Sequence, residues 1–305
     1  LTDGKDFAYI GDSFADLVIW ENAKKCFLVN PTKNLLKEVR KINPSIKVIE
    51  NKDILTFSEI IHTIRVHQWV KNLLLFVPAI LSLKPFIDLL ENLISGFLSF
   101  SLIASAFYIL NDLFDIENDR AHHSKKFRSF ASGSLSIPYG FYIFSLLVII
   151  ALIISINLSQ TFQFLLFLYA STSFLYSTYL KKIPILDIFI LSSLYLLRVI
   201  AGGTLAGITI SNWLLTFSVF FFLYLASIKR WIELKRLNSE TPLGRGYQNS
   251  DLPFVSNLSY FSGLISVLVI CLYIESQQAL TLYNDSKLLW LIPVILLYWI
   301  LETLF

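Results

Sequence analysis

Long apolar runs alternate with short polar ones over most of the chain, and the alternation changes character near residue 53. Beyond that point, runs of roughly the 20 residues that cross a bilayer lie near 69–84, 90–110, 137–157, 161–180, 185–206, 212–228, 253–274 and 287–305, which predicts eight spanning helices. The first is short and carries Lys71 and Asn72 at its start, so its lower end belongs in the membrane interface. Before residue 53 the apolar residues come in short groups. Phe7–Ile10, Cys26–Val29 and Lys47–Ile49 read as strands, with helices from Ala15 and from Lys33 to Lys41 between them. That rhythm predicts a parallel α/β sheet, and its mixture of charged and apolar residues is that of a folded soluble segment rather than a cleaved signal peptide. The pattern therefore divides the chain into a partial α/β segment, residues 1–52, and an all-α polytopic membrane helical bundle, residues 53–305.

Composition agrees with a membrane protein. The chain is 55% hydrophobic and 15% charged, with mean hydropathy +0.64, against about half apolar and a quarter charged in soluble domains. The few basic residues fall almost wholly on one side of the predicted spans, and that asymmetry sets orientation. Arg120, Lys125, Lys126 and Arg128 follow the second span, Lys181 and Lys182 the fourth, and Lys229, Arg230, Lys235, Arg236 and Arg245 the sixth; the opposite loops hold little more than Lys84 and Lys287. These basic loops, with Arg65 and the amino-terminal segment, are expected in the cytoplasm of a bacterium, the bundle lying in its plasma membrane. A net charge of +3 gives no footing for nucleic acid. Cys26 and Cys271 fall in different segments, so no disulfide framework is implied.

The chemistry concentrates at the end of the second span, in Asn111-Asp112-Leu113-Phe114-Asp115-Ile116-Glu117-Asn118-Asp119-Arg120. On a continuous helix Asp112, Asp115 and Asp119 lie about 100°, 40° and 80° round from Asn111, on one face, while Glu117 at about 240° points elsewhere. Three carboxylates and an amide so placed repel unless a cation sits among them, and hard oxygen donors suit Mg²⁺. A solvated acidic helix end is the plain alternative.

Basic and polar groups gather at other helix ends on the same side. Arg65-Val66-His67-Gln68-Trp69-Val70-Lys71-Asn72 precedes the first span, with Trp69 suited to the interface. After the fourth span come Tyr176-Ser177-Thr178-Tyr179-Leu180-Lys181-Lys182, where Tyr176 and Lys181 are placed to reach a phosphate. Asp187 and Arg198 in the fifth span are about 20° apart round the helix and about 16 Å apart along it, so they share a face without touching. An arginine at that depth faces a polar cavity or a partner. Gly202, Gly203 and Gly207 on the same span predict close helix packing. Lys229-Arg230-Trp231-Ile232-Glu233 ends the sixth span, with a Lys229–Glu233 surface pair as the plain reading.

In the α/β segment, Gly11-Asp12-Ser13-Phe14-Ala15-Asp16 puts Asp12 and Asp16 at a strand's carboxyl end, where such sheets hold their ligands. The motif resembles the last GDxxxD motif of haloacid-dehalogenase-like phosphatases, which implies that Asp12 and Asp16 help to hold Mg²⁺. The aspartate nucleophile of that family's DxDxT motif is not in this sequence. The chain opens at Leu1 and contains no methionine, and residues 1–52 read as the carboxyl-terminal fragment of such a domain, with the nucleophile expected upstream. Helix capping by Asp12 and Asp16 is the alternative.

From about residue 58 the chain resembles the UbiA superfamily of intramembrane prenyltransferases. The resemblance rests on NDxxDxxxD at Asn111–Asp119, with Gln68-Trp69-Val70-Lys71-Asn72, Leu180-Lys181, Asp187, Leu197-Arg198 and Lys229-Arg230 pointing to the polyprenyl-phosphate (decaprenyl-phosphate) phosphoribosyltransferase branch. It implies a nine-helix bundle round a cavity open sideways to lipid; eight helices are readable, and the abrupt end at Phe305 fits a truncated carboxyl terminus. It also implies Mg²⁺-dependent transfer of 5-phosphoribosyl from phosphoribosyl diphosphate to a polyprenyl phosphate. Asn111, Asp112, Asp115 and Asp119 would be the metal ligands, with Asp112, Asp115, Asp119 and Lys181 catalytic. Arg65, Gln68, Lys71, Asn72, Arg120, Lys125, Arg128, Tyr176, Asp187, Arg198, Lys229, Arg230 and Glu233 would bind substrate. Aromatic-acceptor members carry a second DxxxD where this chain has Lys229, Arg230 and Glu233, which favours a second phosphate over a second metal. Two other readings stay open: prenyl transfer from polyprenyl diphosphate to an aromatic or other small acceptor, and a non-enzymatic lipid transporter or binding protein. An upstream phosphatase part would act on the 5-phosphate of the product.

Overall fold

The computed structural model describes residues 7–49, 57–82, 84–236, 246–283 and 286–304. Arg245 and Phe305 lie outside them. The chain divides into two compact units, Leu1–Leu55 and Thr56–Phe305.

The first unit is a three-stranded parallel sheet in the order β1 (Ala8–Gly11), β2 (Lys25–Val29), β3 (Lys47–Ile49). Helices α1 (Leu17–Asn22) and α2 (Lys33–Ile42) make the crossovers that parallel strands require. Thr32 caps α2, its hydroxyl accepting from the Leu35 amide at 3.3 Å. Trp20, Leu28, Leu35 and Val39 form the buried core. Asp16 folds back on the turn after β1: one oxygen accepts from the Tyr9 hydroxyl at 2.8 Å, the other from the amides of Asp12 and Ser13 at 3.0 and 3.1 Å. The Tyr9 bond, then those to the Ser13 and Asp12 amides, holds this carboxyl below its ordinary range. Asp16 thereby caps the turn, while Asp12 gives it only a backbone amide and keeps its side chain exposed.

The second unit begins with α3 (Phe57–Ile64) and a 3₁₀ stretch, Val66–Phe76, that runs into α4 (Val77–Leu81). Then follow α5 (Phe86–Phe114), α6 (Ile116–Ala121), α7 (Ser129–Ser132), α8 (Ile137–Ser155), α9 (Gln160–Thr178) and α10 (Leu186–Leu205). The last are α11 (Asn212–Arg236), α12 (Leu252–Ile274), α13 (Gln277–Leu282) and α14 (Leu291–Leu304). All eight expected spans are helical, but among the described residues only α5, α8, α10, α11 and α12 are long and apolar enough to cross a membrane. The 16 residues of Val66–Leu81 and the 14 of α14 are too short, and α9 has the length without the apolarity.

Helix α5 is the axis. Other elements enclose 61% of its apolar window, against 17% for α8, which packs on it and turns its other face outward. Leu93, Phe100, Ile103 and Ala104 of α5 meet Leu75, Phe162, Tyr169, Leu194 and Ala201 in the main core. Gly202 brings α10 against the first segment so closely that a Cβ there would lie 2.1 Å from the Leu75 carbonyl. At 29 residues α5 spans about 43 Å, more than the hydrocarbon core is thick.

The acidic run is not one continuous helix. Asp115 sits at φ −99°, ψ 10° between α5 and α6, in the sparsely used bridge region. It accepts the first hydrogen bond of α6, from the Asp119 amide at 2.7 Å.

Candidate functional site

At the end of the bundle that carries the basic loops lies a cavity of about 380 Å³. The first segment contributes Arg65, Gln68 and Lys71; α5 and the residue after it contribute Phe107, Tyr108, Asn111 and Asp115; Lys125 and Arg128 come from the loop before α7. From α9 come Tyr169, Ser173, Tyr176 and Ser177, followed by Lys181; from α10, Leu194, Tyr195 and Arg198; from α11, Lys229. A second cavity, of about 370 Å³, is lined mainly by apolar residues such as Val77, Trp213, Phe217 and Ile270, and by none of the expected site residues.

The broken acidic run separates into two groups. Lys181 Nζ donates to both oxygens of Asp115 at 2.6 and 2.7 Å and to Asn111 Oδ1 at 3.1 Å, while Asn111 Nδ2 donates to Asp115 Oδ2 at 3.1 Å. Behind them, Arg65 donates to Asp112 at 2.6 Å, and Arg128 bridges Asp112 at 3.0 Å and Asp119 at 2.7 Å. The groups follow the order of the four residues round the helix: Asn111 and Asp115 line the cavity, while Asp112 and Asp119, further round, meet Arg65 and Arg128 and lie off that lining. Among the described residues no three acidic, histidine or cysteine side chains converge as a ready-made metal cage.

Arg198 forms part of the deep wall. It is 3% exposed, donates to Asn72 Oδ1 at 2.8 Å and to the Tyr169 hydroxyl at 3.0 Å, and lies over the rings of Phe100, Tyr169 and Tyr195 at 4.8 to 5.5 Å. Asn72, expected to bind substrate, instead orients Arg198 and donates to Ser101 at 2.9 Å. Arg65 and Lys71 both lie over the Tyr108 ring.

Several other expected substrate contacts are elsewhere. Asp187 is fully buried and accepts from Arg230 and from the Tyr247 hydroxyl; Arg230, 1% exposed, also donates to Glu233. A charge at that depth is tolerated only when paired, so Asp187, Arg230 and Glu233 tie α10 to α11 rather than line the cavity. Arg120 is exposed and donates to the Ala131 carbonyl at 3.1 Å.

Tyr247, just beyond residues 237–245, has no signal in the sequence. Its hydroxyl also accepts from the Ile185 amide at 2.8 Å, and burial, reinforced by Asp187, pushes this phenol up, so it stays a proton donor. Ile185 has φ 68° and ψ −49°, with the Leu186 amide on the Pro184 carbonyl at 2.7 Å. That is a γ-turn at a β-branched residue, a strain of about 1–3 kcal/mol. The aromatic lining was findable by spacing: Tyr169, Ser173, Tyr176 and Ser177, and Leu191, Leu194, Tyr195 and Arg198, recur at helical intervals on single faces.

The profile of the UbiA prenyltransferase family matches residues 73–303. The chain belongs to that family. It is 34% identical over 300 residues to the uncharacterized protein y4nM of Sinorhizobium fredii, covering 96% of this chain and 58% of that protein's length. It is also 34% identical over 211 residues to the decaprenyl-phosphate phosphoribosyltransferase of Mycolicibacterium smegmatis, covering 66% of each. The fold is similar to that of a UbiA homolog from Archaeoglobus fulgidus bound to DMAPP and Mg²⁺, with TM-score 0.62 at 14% identity over 80% of this chain and 85% of that one. Family and apolar helices together make this an integral membrane protein.

Proposed function

We propose that the membrane unit moves a 5-phosphoribosyl group from phosphoribosyl diphosphate to a polyprenyl phosphate and releases diphosphate. The observation that carries this reading is the charge division of the cavity wall. Lys71, Lys125 and Lys229 reach it with no carboxylate partner among the described residues, and Arg198 is held by neutral groups. Four cations round one cavity repel unless anions sit among them. A prenyl diphosphate and a neutral acceptor bring one anionic group; a phosphorylated sugar diphosphate and a lipid phosphate bring three. The similarity to a decaprenyl-phosphate phosphoribosyltransferase supports the same choice. So does Glu233, whose bond to Arg230 makes it a poor second metal ligand.

The donor set fits Mg²⁺. That ion is usually held by one or two carboxylates plus substrate phosphates rather than by a complete protein cage, and Asn111 and Asp115 present hard oxygens to the cavity. These two would hold it, with Asp112 and Asp119 behind Arg128 setting the field. When bound, the metal neutralises the diphosphate and makes it a better leaving group. Lys71, Lys125, Lys229 and Arg198 hold the remaining phosphates, while Gln68 and Tyr176 orient the sugar. The bond from C1 of the ribose to the diphosphate oxygen breaks with its electron pair leaving on diphosphate. An oxygen of the lipid phosphate, already an anion, forms the new bond to C1, so no strong general base is needed.

We assign the site to the cytoplasmic side of a bacterial plasma membrane, a reading that the excess of basic residues at this end supports. Residues 1–52 we assign to the closing part of a haloacid-dehalogenase-like domain, on the strength of Gly11, Asp12 and Asp16.

Membranes containing the protein, given labelled phosphoribosyl diphosphate and polyprenyl phosphate with and without Mg²⁺, should form a labelled lipid only with the metal. A parallel arm supplies labelled polyprenyl diphosphate and an aromatic acceptor. Product in that arm alone would overturn the assignment in favour of prenyl transfer, and product in neither would favour a lipid carrier.

A further inference from the structure

Lys181, which holds Asp115 and Asn111, is not on a regular helix. Helix α9 ends at Thr178, and Lys181 sits in the 3₁₀ turn Leu180–Lys182, followed by the γ-turn at Ile185. Its position is therefore set by whatever holds that connection. Two adjacent residues, Gly246 and Tyr247, do so. The Gly246 amide donates to the Lys182 carbonyl at 3.2 Å, and the Tyr247 hydroxyl accepts from the Ile185 amide at 2.8 Å while donating to Asp187. The two anchors grip the turn on either side of Pro184. The approach is close: a Cβ on Gly246 would lie 2.6 Å from the Lys182 carbonyl and 3.1 Å from the Pro184 ring. Tyr247 is itself 1% exposed and stacked under the Arg230 guanidinium at 5.3 Å, so the grip is rooted in the sealed cluster between α10 and α11.

We infer that Gly246 and Tyr247 form a clip that fixes the turn carrying Lys181, which makes Tyr247 a positioning residue for the diphosphate end of the cavity. It lines no described cavity and reaches Lys181 through the backbone from Lys182 to Ile185. The inference rests on the reading that this cavity takes a diphosphate, and it extends that reading to a residue some 66 positions from Lys181 in sequence. Without the clip the strained γ-turn relaxes, the 3₁₀ turn shifts, and Lys181 no longer meets Asp115 and the incoming anion in one geometry.

Equilibrium binding of inorganic diphosphate with Mg²⁺, which needs no turnover, tests this on the full chain in detergent. Tyr247→Phe removes one hydroxyl and should weaken binding about fivefold, the worth of one or two hydrogen bonds. Lys181→Ala should weaken it more. The double variant should bind no more weakly than Lys181→Ala alone, because both act at one point. Gly246→Ala pushes the same turn without touching the hydroxyl and should reproduce the loss, which covers the case of a Tyr247→Phe protein that does not fold. Wild-type binding in both Tyr247→Phe and Gly246→Ala would overturn the clip, as would additive losses in the double variant, which mark a merely structural tyrosine. Coupled losses in a protein without phosphoribosyl transfer would leave the clip standing and remove the proposed reaction.

Discussion

Two ion-paired groups lie at the same end of the bundle and differ mainly in their access to water. In one, Lys181 holds Asp115, with side chains 9% and 20% exposed at the wall of an open cavity. In the other, Arg230 holds Asp187, at 1% and 0%. Chemically the pairs are alike, a cation from one element closing on an aspartate of another. An open pair can change partners when an anion or a metal arrives, because water and ligand replace what each charge gives up. A sealed pair has no such exchange, and parting it strands a charge in a low-dielectric interior. The difference separates residues that handle substrate from residues that hold the helices in place.

The largest expected effect breaks the sealed pair. Asp187→Ala leaves Arg230 buried against Glu233 alone and removes the seat of the Tyr247 hydroxyl; loss of one partner of a buried pair costs about 3–5 kcal/mol. Thermal unfolding in detergent should show a large fall in Tm. Asp115→Ala, which parts a pair bordering the cavity, should cost less, between about 1 kcal/mol for exposed ion pairs and the cost of parting a sealed one. Equal losses of stability in the two variants would erase the distinction.

The sequence showed where charge accumulates but not which charges are sealed. Asp187 and Arg230 stand at span ends beside Lys181 and Lys229, and hydropathy treats all four alike; what separates them is the packing of α10 on α11 and the Tyr247 hydroxyl that closes on Asp187. Helix positions were legible because long apolar runs have few alternatives. The α/β rhythm was legible too, its elements falling within one or two residues of those observed. The break at Asp115 was not, since Phe114, Asp115 and Ile116 carry no proline or glycine, and the Asp115 side chain is held by Lys181 from beyond α9 as well as by Asn111 one turn back. Counting degrees along a straight helix nonetheless kept the order round the axis, with Asn111 beside Asp115 and Asp112 beside Asp119.

The open pair should show the complementary behaviour. Asp115→Asn keeps the size and loses the charge that faces the cavity, so lipid product formation should fall by about 10²–10³, the scale of losing one preorganised electrostatic contact, with little change in Tm. Chelation of divalent metal should reduce the wild-type rate to a similar level and have little further effect on the variant. A variant with near wild-type turnover would return Asp115 to the structural class and place the metal elsewhere.

The smallest of these effects compares two neighbours on α11. Lys229 is exposed to the cavity with no carboxylate partner among the described residues, while Arg230, one position on, is sealed. A rotation of about 100° separates them, and it should separate their phenotypes. Lys229→Ala removes one charge-assisted contact to a phosphate, worth about 1.5–3 kcal/mol in full but less where water substitutes, so a KM about tenfold higher for the substrate whose phosphate it meets is expected at unchanged Tm. Varying each substrate in turn identifies that phosphate, because only its own KM should move. Arg230→Ala should instead lower Tm, through the charge that it strands on Asp187. If Lys229→Ala lowered kcat and left both KM values in place, Lys229 would be acting on the departing diphosphate, and the cationic half of the wall would belong to the reaction centre rather than to a second phosphate.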